Sequence, residues 1–350
     1  MEKIREKVLS GGRLTGEDAL VLFESPDIFT LGSLAAGAAR RRNGNRAFYV
    51  RNVHVNPTNI CVNRCRFCAF SRSRDEEGAY ELSIPEVLAR IEAAMPVSEV
   101  HIVGGLHPDW PFEHYLHMLQ SIRRAFPSLH IKAFTAAEVD YMHRISGLSL
   151  DAVLLGLRES GLGSMPGGGA EIFSPEVRGR LCPEKLTGQR WLEVMEAAHQ
   201  AGVRTNATML YGHVESAAHR VEHLLALREL QDRTGGFQAF IPLAYHPGGT
   251  DVGRGPSGLD DLRTIAVSRL VLDNFAHIKA YWVMLGEKIS QVALLFGADD
   301  LDGTVIEEKI TYAAGAGSRR SITEDELVAL IGKAGREPVE RDSFYRAVAA

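Results

Sequence analysis

From residue 48 onward, short apolar runs alternate with longer amphipathic stretches, and this alternation sets the reading of the chain. Runs of strand length fall near 52–56 (NVHVN), 99–104 (EVHIVG), 130–136 (HIKAFTA), 204–210 (RTNATML), 238–243 (QAFIPL) and 278–284 (IKAYWVM). A further strand falls at either 152–157 or 162–166, and a short last one near 302–306. Helical periodicity occupies the intervals: 84–95, 113–126, 138–146, 174–180, 188–201, 217–233, 259–274 and 287–297. Thr187 and Ser257 stand where N-terminal caps are expected. Ahead of this region, Thr15 opens one helix and the Ala/Arg-rich stretch 33–42 forms another.

Strand and helix in alternation, about eight times, is the period of an α/β (β/α)8 barrel of the TIM type. A doubly wound open sheet is the competitor. No G-x-G-x-x-G opens a first helix, which weakens it. The expected organisation is an N-terminal helical extension (1–47), the barrel (48–312) and a C-terminal helix and tail (313–350).

Composition narrows the class. Of 350 residues, 45% are hydrophobic and 24% charged, which is globular and neither disordered nor fibrous. Mean hydropathy is -0.07 and no apolar run is long enough for a membrane span. The start, MEKIREKVLSGGRL, has no apolar core of a signal peptide, so a cytoplasmic enzyme is expected. The net charge of -5, with no basic patch interleaved with aromatics, speaks against a nucleic-acid partner.

The four cysteines carry the chemistry. Cys61, Cys65 and Cys68 crowd into the loop after the first barrel strand, and Cys182 stands far along the chain. Loops after strands form the catalytic face of such a barrel. Three thiolates on one loop can hold three corners of an iron–sulfur cubane and leave the fourth iron open to a small molecule. A structural zinc site is the alternative, but it wants four closed ligands, and His54 and His101 do not sit at finger spacing. Cys182, in LCPEK, reads as an ordinary packed thiol.

The string CVNRCRFC, with Phe67 before the last cysteine, resembles the C-x-x-x-C-x-aromatic-C signature of the radical S-adenosylmethionine (SAM) enzymes. The resemblance implies a [4Fe-4S] cluster on Cys61, Cys65 and Cys68, with SAM as co-substrate. It also implies a one-electron donor such as a flavodoxin or ferredoxin. Gly104 and Gly105 resemble the glycine motif that receives the methionine amino group. The cluster Gly167–Gly169, followed by Glu171, offers a close backbone approach and a carboxylate for a ribose diol. Thr208, Leu210 and Gly212 resemble, in part, the adenine-contacting motif of the fifth strand, with Thr208 in place of a glycine.

The likeness runs from about residue 54 to 310. HVNPTNICVNRC, FTAAEVDY and GADDLDGTV look most like the branch that builds aminofutalosine on a route to menaquinone. That branch implies addition of the 5′-deoxyadenosyl radical to the enolpyruvyl double bond of 3-[(1-carboxyvinyl)oxy]benzoate. Rearrangement and decarboxylation then give 6-amino-6-deoxyfutalosine, methionine and bicarbonate. A dehypoxanthine futalosine cyclase or an FO-synthase-like enzyme is the alternative within the family. An electron-transfer protein without catalysis is the alternative outside it.

A substrate with two carboxylates asks for cations or donors in a dry site. The candidates are Arg72 and Arg74 after the cysteine loop, His246, and Arg269 in the seventh helix. Tyr211, Tyr245 and Trp282 are candidates to line the aromatic ring. Asp300 and Asp302 would lie on the catalytic face. His54 and Asn56 on the first strand would point into the barrel or pack in the core.

Overall fold

A computed structural model describes residues 1–250 and 252–348. Three helices come first: α1 (Glu2–Leu9), α2 (Gly16–Glu24) and α3 (Ile28–Asn43). Thr15 starts α2 with a reciprocal capping box to Asp18. β1 (Arg46–Val50) then runs directly into β2 (Asn52–Val55). The alternation that follows is α4 (Ile84–Ala93), β3 (Glu99–Ile102), α5 (Phe112–Ala125), β4 (His130–Ala133), α6 (Ala136–Ser146), α7 (Leu150–Glu159) and β5 (Ser164–Met165). It continues through α8 (Pro175–Leu181), α9 (Gly188–Gln200), β6 (Arg204–Tyr211), α10 (Ala217–Thr234), β7 (Phe237–Ala244), α11 (Gly258–Val271) and β8 (His277–Ile278). The last elements are α12 (Trp282–Ala293), β9 (Asp300–Gly303), α13 (Ile310–Ala313), α14 (Glu324–Lys333) and β10 (Glu337–Glu340).

β2 to β8 form one parallel sheet in chain order. It curls toward closure through β9. Lys279 bridges Asp300 on one side, and Ile306 bridges Val53 of β2 on the other. The result is the expected (β/α) barrel, with helices packed around a curled parallel sheet and its apolar core between the two layers. Among the described residues, no helix is long and apolar enough to cross a membrane.

Several elements differ from the sequence reading. Residues 152–157 are helical, because their apolar positions serve one face of α7; the fifth strand is the short Ser164–Met165. The run 278–284 keeps its alternation, but the chain turns after β8 and Trp282 opens α12. β1 and β10 are additional strands. They form a small parallel sheet with β9, in which β10 lies on the outer edge of β1. The polar string EPVE gave no strand signal, because an edge strand buries little of its side-chain surface. The tail then folds under the barrel: Tyr345 stacks on His277, and Phe344 meets His130 edge-on. These contacts close the N-terminal ends of the strands. The early helices instead lie outside, α3 along α11 and α2 against α10.

The seam is held by buried charge. Asp299 accepts from Arg269 Nη2 at 2.5 Å, Asn43 Nδ2 at 2.5 Å, His277 Nδ1 at 2.7 Å and the Ile278 amide at 2.8 Å. One carboxylate thus joins α11, α3 and β8. Burial would raise its pKa, but the Arg269 charge holds it below the ordinary carboxylate range. Breaking a buried pair from one side leaves the other charge uncompensated, at about 3–5 kcal/mol. Asp299→Asn is therefore expected to lower the unfolding free energy by that amount, read as a lower urea midpoint at unchanged slope. An unaltered midpoint would show that the seam does not depend on this carboxylate.

Candidate active site

The cysteine loop follows β2 and is tied down on both flanks. Val62 donates to Leu106 O at 3.0 Å, Arg66 to Leu181 O at 2.8 Å, and Cys61 to Arg72 O at 3.1 Å. Asn56 Nδ2 donates to Val103 O at 2.8 Å, fixing the loop's root on the next strand end. Cys61, Cys65, Phe67 and Cys68 all line one cavity of about 310 Å³ at the C-terminal ends of the strands. Burial pushes the Cys61 thiol up. Cys182 is buried at the end of α8 with its thiol in hydrogen-bond contact with Cys65; it packs behind that residue, outside the cavity wall. The tertiary fold thereby brings together cysteines that the chain separates widely.

The glycines after β3 have a packing reason as well as room for a ligand. A Cβ on Gly105 would lie 2.2 Å from Ile60 O, and one on Gly104 would lie 3.2 Å from Thr58 O. Without them the cysteine loop could not close over the strand end. Beside them Glu138 accepts from the amides of Gly104 at 3.1 Å and Thr135 at 2.7 Å. The T-x-x-E capping box of α6 is visible in the sequence, but the reach to Gly104 is a tertiary fact. Burial pushes the Glu138 carboxyl up to about 7, against these bonds.

On the far wall lie Gly167–Gly169 and Glu171. A Cβ on Gly167 would lie 2.8 Å from Asn206 O, so this turn must ride on β6. Thr208 Oγ1 donates to Gly167 O at 2.6 Å, and Leu210 N to Glu171 O at 2.9 Å. Glu171 pairs with Lys185 Nζ at 2.6 Å. Burial opposes ionisation of Glu171, but the ammonium wins and keeps it below its usual range. Lys185 Nζ also lies 5.5 Å from the Phe67 ring centroid, which links this wall to the cysteine loop.

The sequence candidates for substrate divide. Tyr245, His246 and Asp302 line the cavity, as do His54 and Asn56. Of the adenine candidates, Thr208 and Leu210 line it but Gly212 does not: its positive φ of 88° makes a turn in which its amide donates to Glu215 at 2.6 Å. Tyr211 points outward and donates to Asp261 at 2.7 Å. Arg72 turns back onto Ala69 O at 2.9 Å and lies 3.5 Å from Glu76, and Arg74 pairs with Asp109. Arg269 is the seam partner of Asp299, and the Trp282 indole donates to Gly303 O at 2.8 Å. Asp300 is likewise consumed, by Arg341 at 2.7 Å.

The cavity takes its cations from elsewhere: Lys132, Lys279 and Lys185, with Tyr281 as an aromatic wall. Sequence reasoning passed over them, although the signal existed. In HIKA and HIKAYW a lysine interrupts a buried strand at an inward position, and Lys279 and Tyr281 share one face while Ile278, Ala280 and Trp282 share the other.

The Glu138 value lies above the unfolded one, so folding favours its protonated form. That contribution is complete below pH 4.5 and is lost as the pH rises through about 7, a span worth about 3 kcal/mol. Ligand-free protein is expected to lose stability across this range, and Glu138→Gln to flatten the slope in thermal melts. Equal slopes for both proteins would place the carboxyl in a wetter setting.

Residues 55–227 match the model of the radical SAM superfamily, and residues 234–349 match that of the CofH/MqnC C-terminal region. The chain is 46% identical to aminodeoxyfutalosine synthase of Thermus thermophilus, over 99% of this chain and 95% of that one. It is 43% identical to the enzyme of that name from Streptomyces coelicolor, over 98% and 92%. It is also 38% identical to 5-amino-6-(D-ribitylamino)uracil–L-tyrosine 4-hydroxyphenyl transferase of Methanococcoides burtonii, over 99% of both chains. Among solved structures, methylornithine synthase shares the fold with a TM-score of 0.77, at 19% identity over 96% and 97% of the two chains. Identity of this extent, carried along the barrel and its C-terminal part alike, makes the chain a member of the radical SAM superfamily, in the group that contains the aminodeoxyfutalosine synthases.

Proposed function

We propose that the chain joins the 5′-deoxyadenosyl group of SAM to 3-[(1-carboxyvinyl)oxy]benzoate. The products are 6-amino-6-deoxyfutalosine, methionine and bicarbonate, in menaquinone biosynthesis. The observation that carries this reading is identity of 43–46% along nearly the full length of two aminodeoxyfutalosine synthases.

The residues present fit the cluster. Three thiols of one loop face one cavity, the donor set that holds three corners of an iron–sulfur cubane. Cys61, Cys65 and Cys68 would hold a [4Fe-4S] cluster, which when bound supplies one electron to SAM. The chain's own part is binding and orientation. Glu138, beside the Gly104 amide, is placed to take the methionine ammonium. Glu171, kept ionised by Lys185, would accept from the ribose hydroxyls. Thr208 and Leu210 offer a narrow edge to the adenine. Ile241, Leu243 and Met284 add apolar wall that excludes water from the reacting carbons.

A flavodoxin or ferredoxin in the cytoplasm would serve as reductant. The division at 1–47, 48–312 and 313–350 suits this reading, with the site wholly on the middle part apart from Ala314. The second reading, transfer of a tyrosine-derived hydroxyphenyl group, rests on the 38% identity to the methanogen enzyme.

The test is anaerobic. Reconstituted, reduced protein is given SAM and the enolpyruvyl benzoate, and the adenosyl group is followed by mass spectrometry. The expected product carries the adenosyl mass on the benzoate with one carboxyl lost. Free 5′-deoxyadenosine alone would overturn this substrate, and Cys68→Ala is expected to give no cleavage. Glu171→Gln is expected to weaken SAM binding about tenfold by removing a charged acceptor; unchanged binding would remove Glu171 from the nucleoside site.

A further inference from the structure

The deep end of the cavity carries polar groups that the reading above does not use. Parallel register pairs His54 of β2 with His101 of β3, and His101 with Lys132 of β4. Partners in register on adjacent strands point the same way, so three basic side chains stand in one inward row. Lys279, beside β8, reaches the same space across the seam. The His54 and His101 rings lie edge to face with centroids 4.4 Å apart, and Tyr281 lies parallel to His54 at 6.5 Å.

Both ammonium groups are already balanced, Lys132 by Glu99 and Lys279 by Asp302, at 2.7 and 2.6 Å. The imidazoles are not: Nε2 of His54 and Nε2 of His101 are buried and have no partner. Burial without a partner costs free energy, which a ligand acceptor would recover. Burial also holds both rings neutral, His54 near 4 and His101 well below its ordinary value. A neutral imidazole has one N–H to give, and each lysine retains further N–H donors.

We propose that His54, His101, Lys132 and Lys279 form a carboxylate subsite at the deep end of the barrel, and that it receives the ring carboxylate of the substrate. The assignment rests on the function proposed above. The alkene must face the mouth, where the cysteine loop and Gly104–Gly105 lie beyond the strand ends. The enolpyruvyl carboxylate is attached to that alkene and stays with it. The ring carboxylate is then carried to the opposite end, onto the His–Lys row, with Tyr281 beside the ring.

The test is equilibrium binding to cluster-loaded, unreduced protein in the presence of SAM, so that no turnover occurs. The two probes are the enolpyruvyl benzoate and its analogue with hydrogen in place of the ring carboxylate. Wild-type protein is expected to bind the dicarboxylate at least tenfold more tightly. His101→Phe is expected to weaken the dicarboxylate about tenfold, the scale of a hydrogen bond to a charged group, and to leave the analogue unchanged. His101→Gln, which keeps an N–H donor, should recover part of the loss. His54→Phe, read in parallel, keeps the test open if one variant fails to fold. Equal binding of the two probes by wild-type protein, or equal weakening of both by the variants, overturns the subsite and leaves the function standing. SAM binding without binding of either probe overturns the function and the subsite together.

Discussion

The barrel depends on one seam. A parallel sheet of seven strands must be brought round until its last strand meets its first, and here the joining segment is Asp299–Ile306. Asp299 pairs with Arg269, Asp300 with Arg341, and Asp302 with Lys279. Each carboxylate sits in a different environment: one faces the outer helices, one faces the tail under the barrel, and one lines the cavity. Buried ion pairs are weak evidence for net stability, but each is costly to break from one side. The three pairs therefore fix where β9 lies relative to α11, β10 and the cavity. The positive φ of Asp302 (72°) belongs to the same turn of the chain and delivers its carboxylate inward.

That closure gives the site its two ends. The tail residues Tyr345 and Phe344 cover the strand starts, and the cavity lies toward the loops that follow the strands. At the mouth stand the cysteines and the glycines that let their loop lie flat on the neighbouring strand. At the deep end stand histidines and lysines in register. Between them run the apolar side chains of β7 and the start of α12. Such an axis suits a co-substrate cleaved at the mouth and a partly aromatic acid lying below it. The glycines illustrate how one residue type answers two demands. Gly105 clears the backbone of Ile60, and the same missing side chain leaves the strand end open to a ligand.

Some candidates failed for one shared reason. Arg269, Tyr211 and Trp282 are large, polar-tipped and near strand ends, which made them plausible wall residues. Each instead spends its polar tip on a fixed partner outside the cavity: Asp299, Asp261 or Gly303 O. For Tyr211 on β6 the cause is alternation: neighbouring strand residues face opposite layers, and Leu210 lines the cavity while Tyr211 does not. Tyr281 and Trp282 are adjacent, and only the first reaches the cavity.

The sequence by itself determined the strand–helix alternation, the caps of α2, α9 and α11, and the cysteine loop with its implied cluster, because these depend on spacing along the chain. It also carried the family likeness. Only the tertiary structure decided which polar residues share the cavity. It brought Cys182 against Cys65, Glu138 against Gly104, and the charged partners of the seam together across long stretches of chain. It also made strands of β1 and β10, whose sequences are ambiguous until each finds an open edge. Contacts of this kind are set by register between strands and by the face each residue presents, and neither quantity is written locally in the chain.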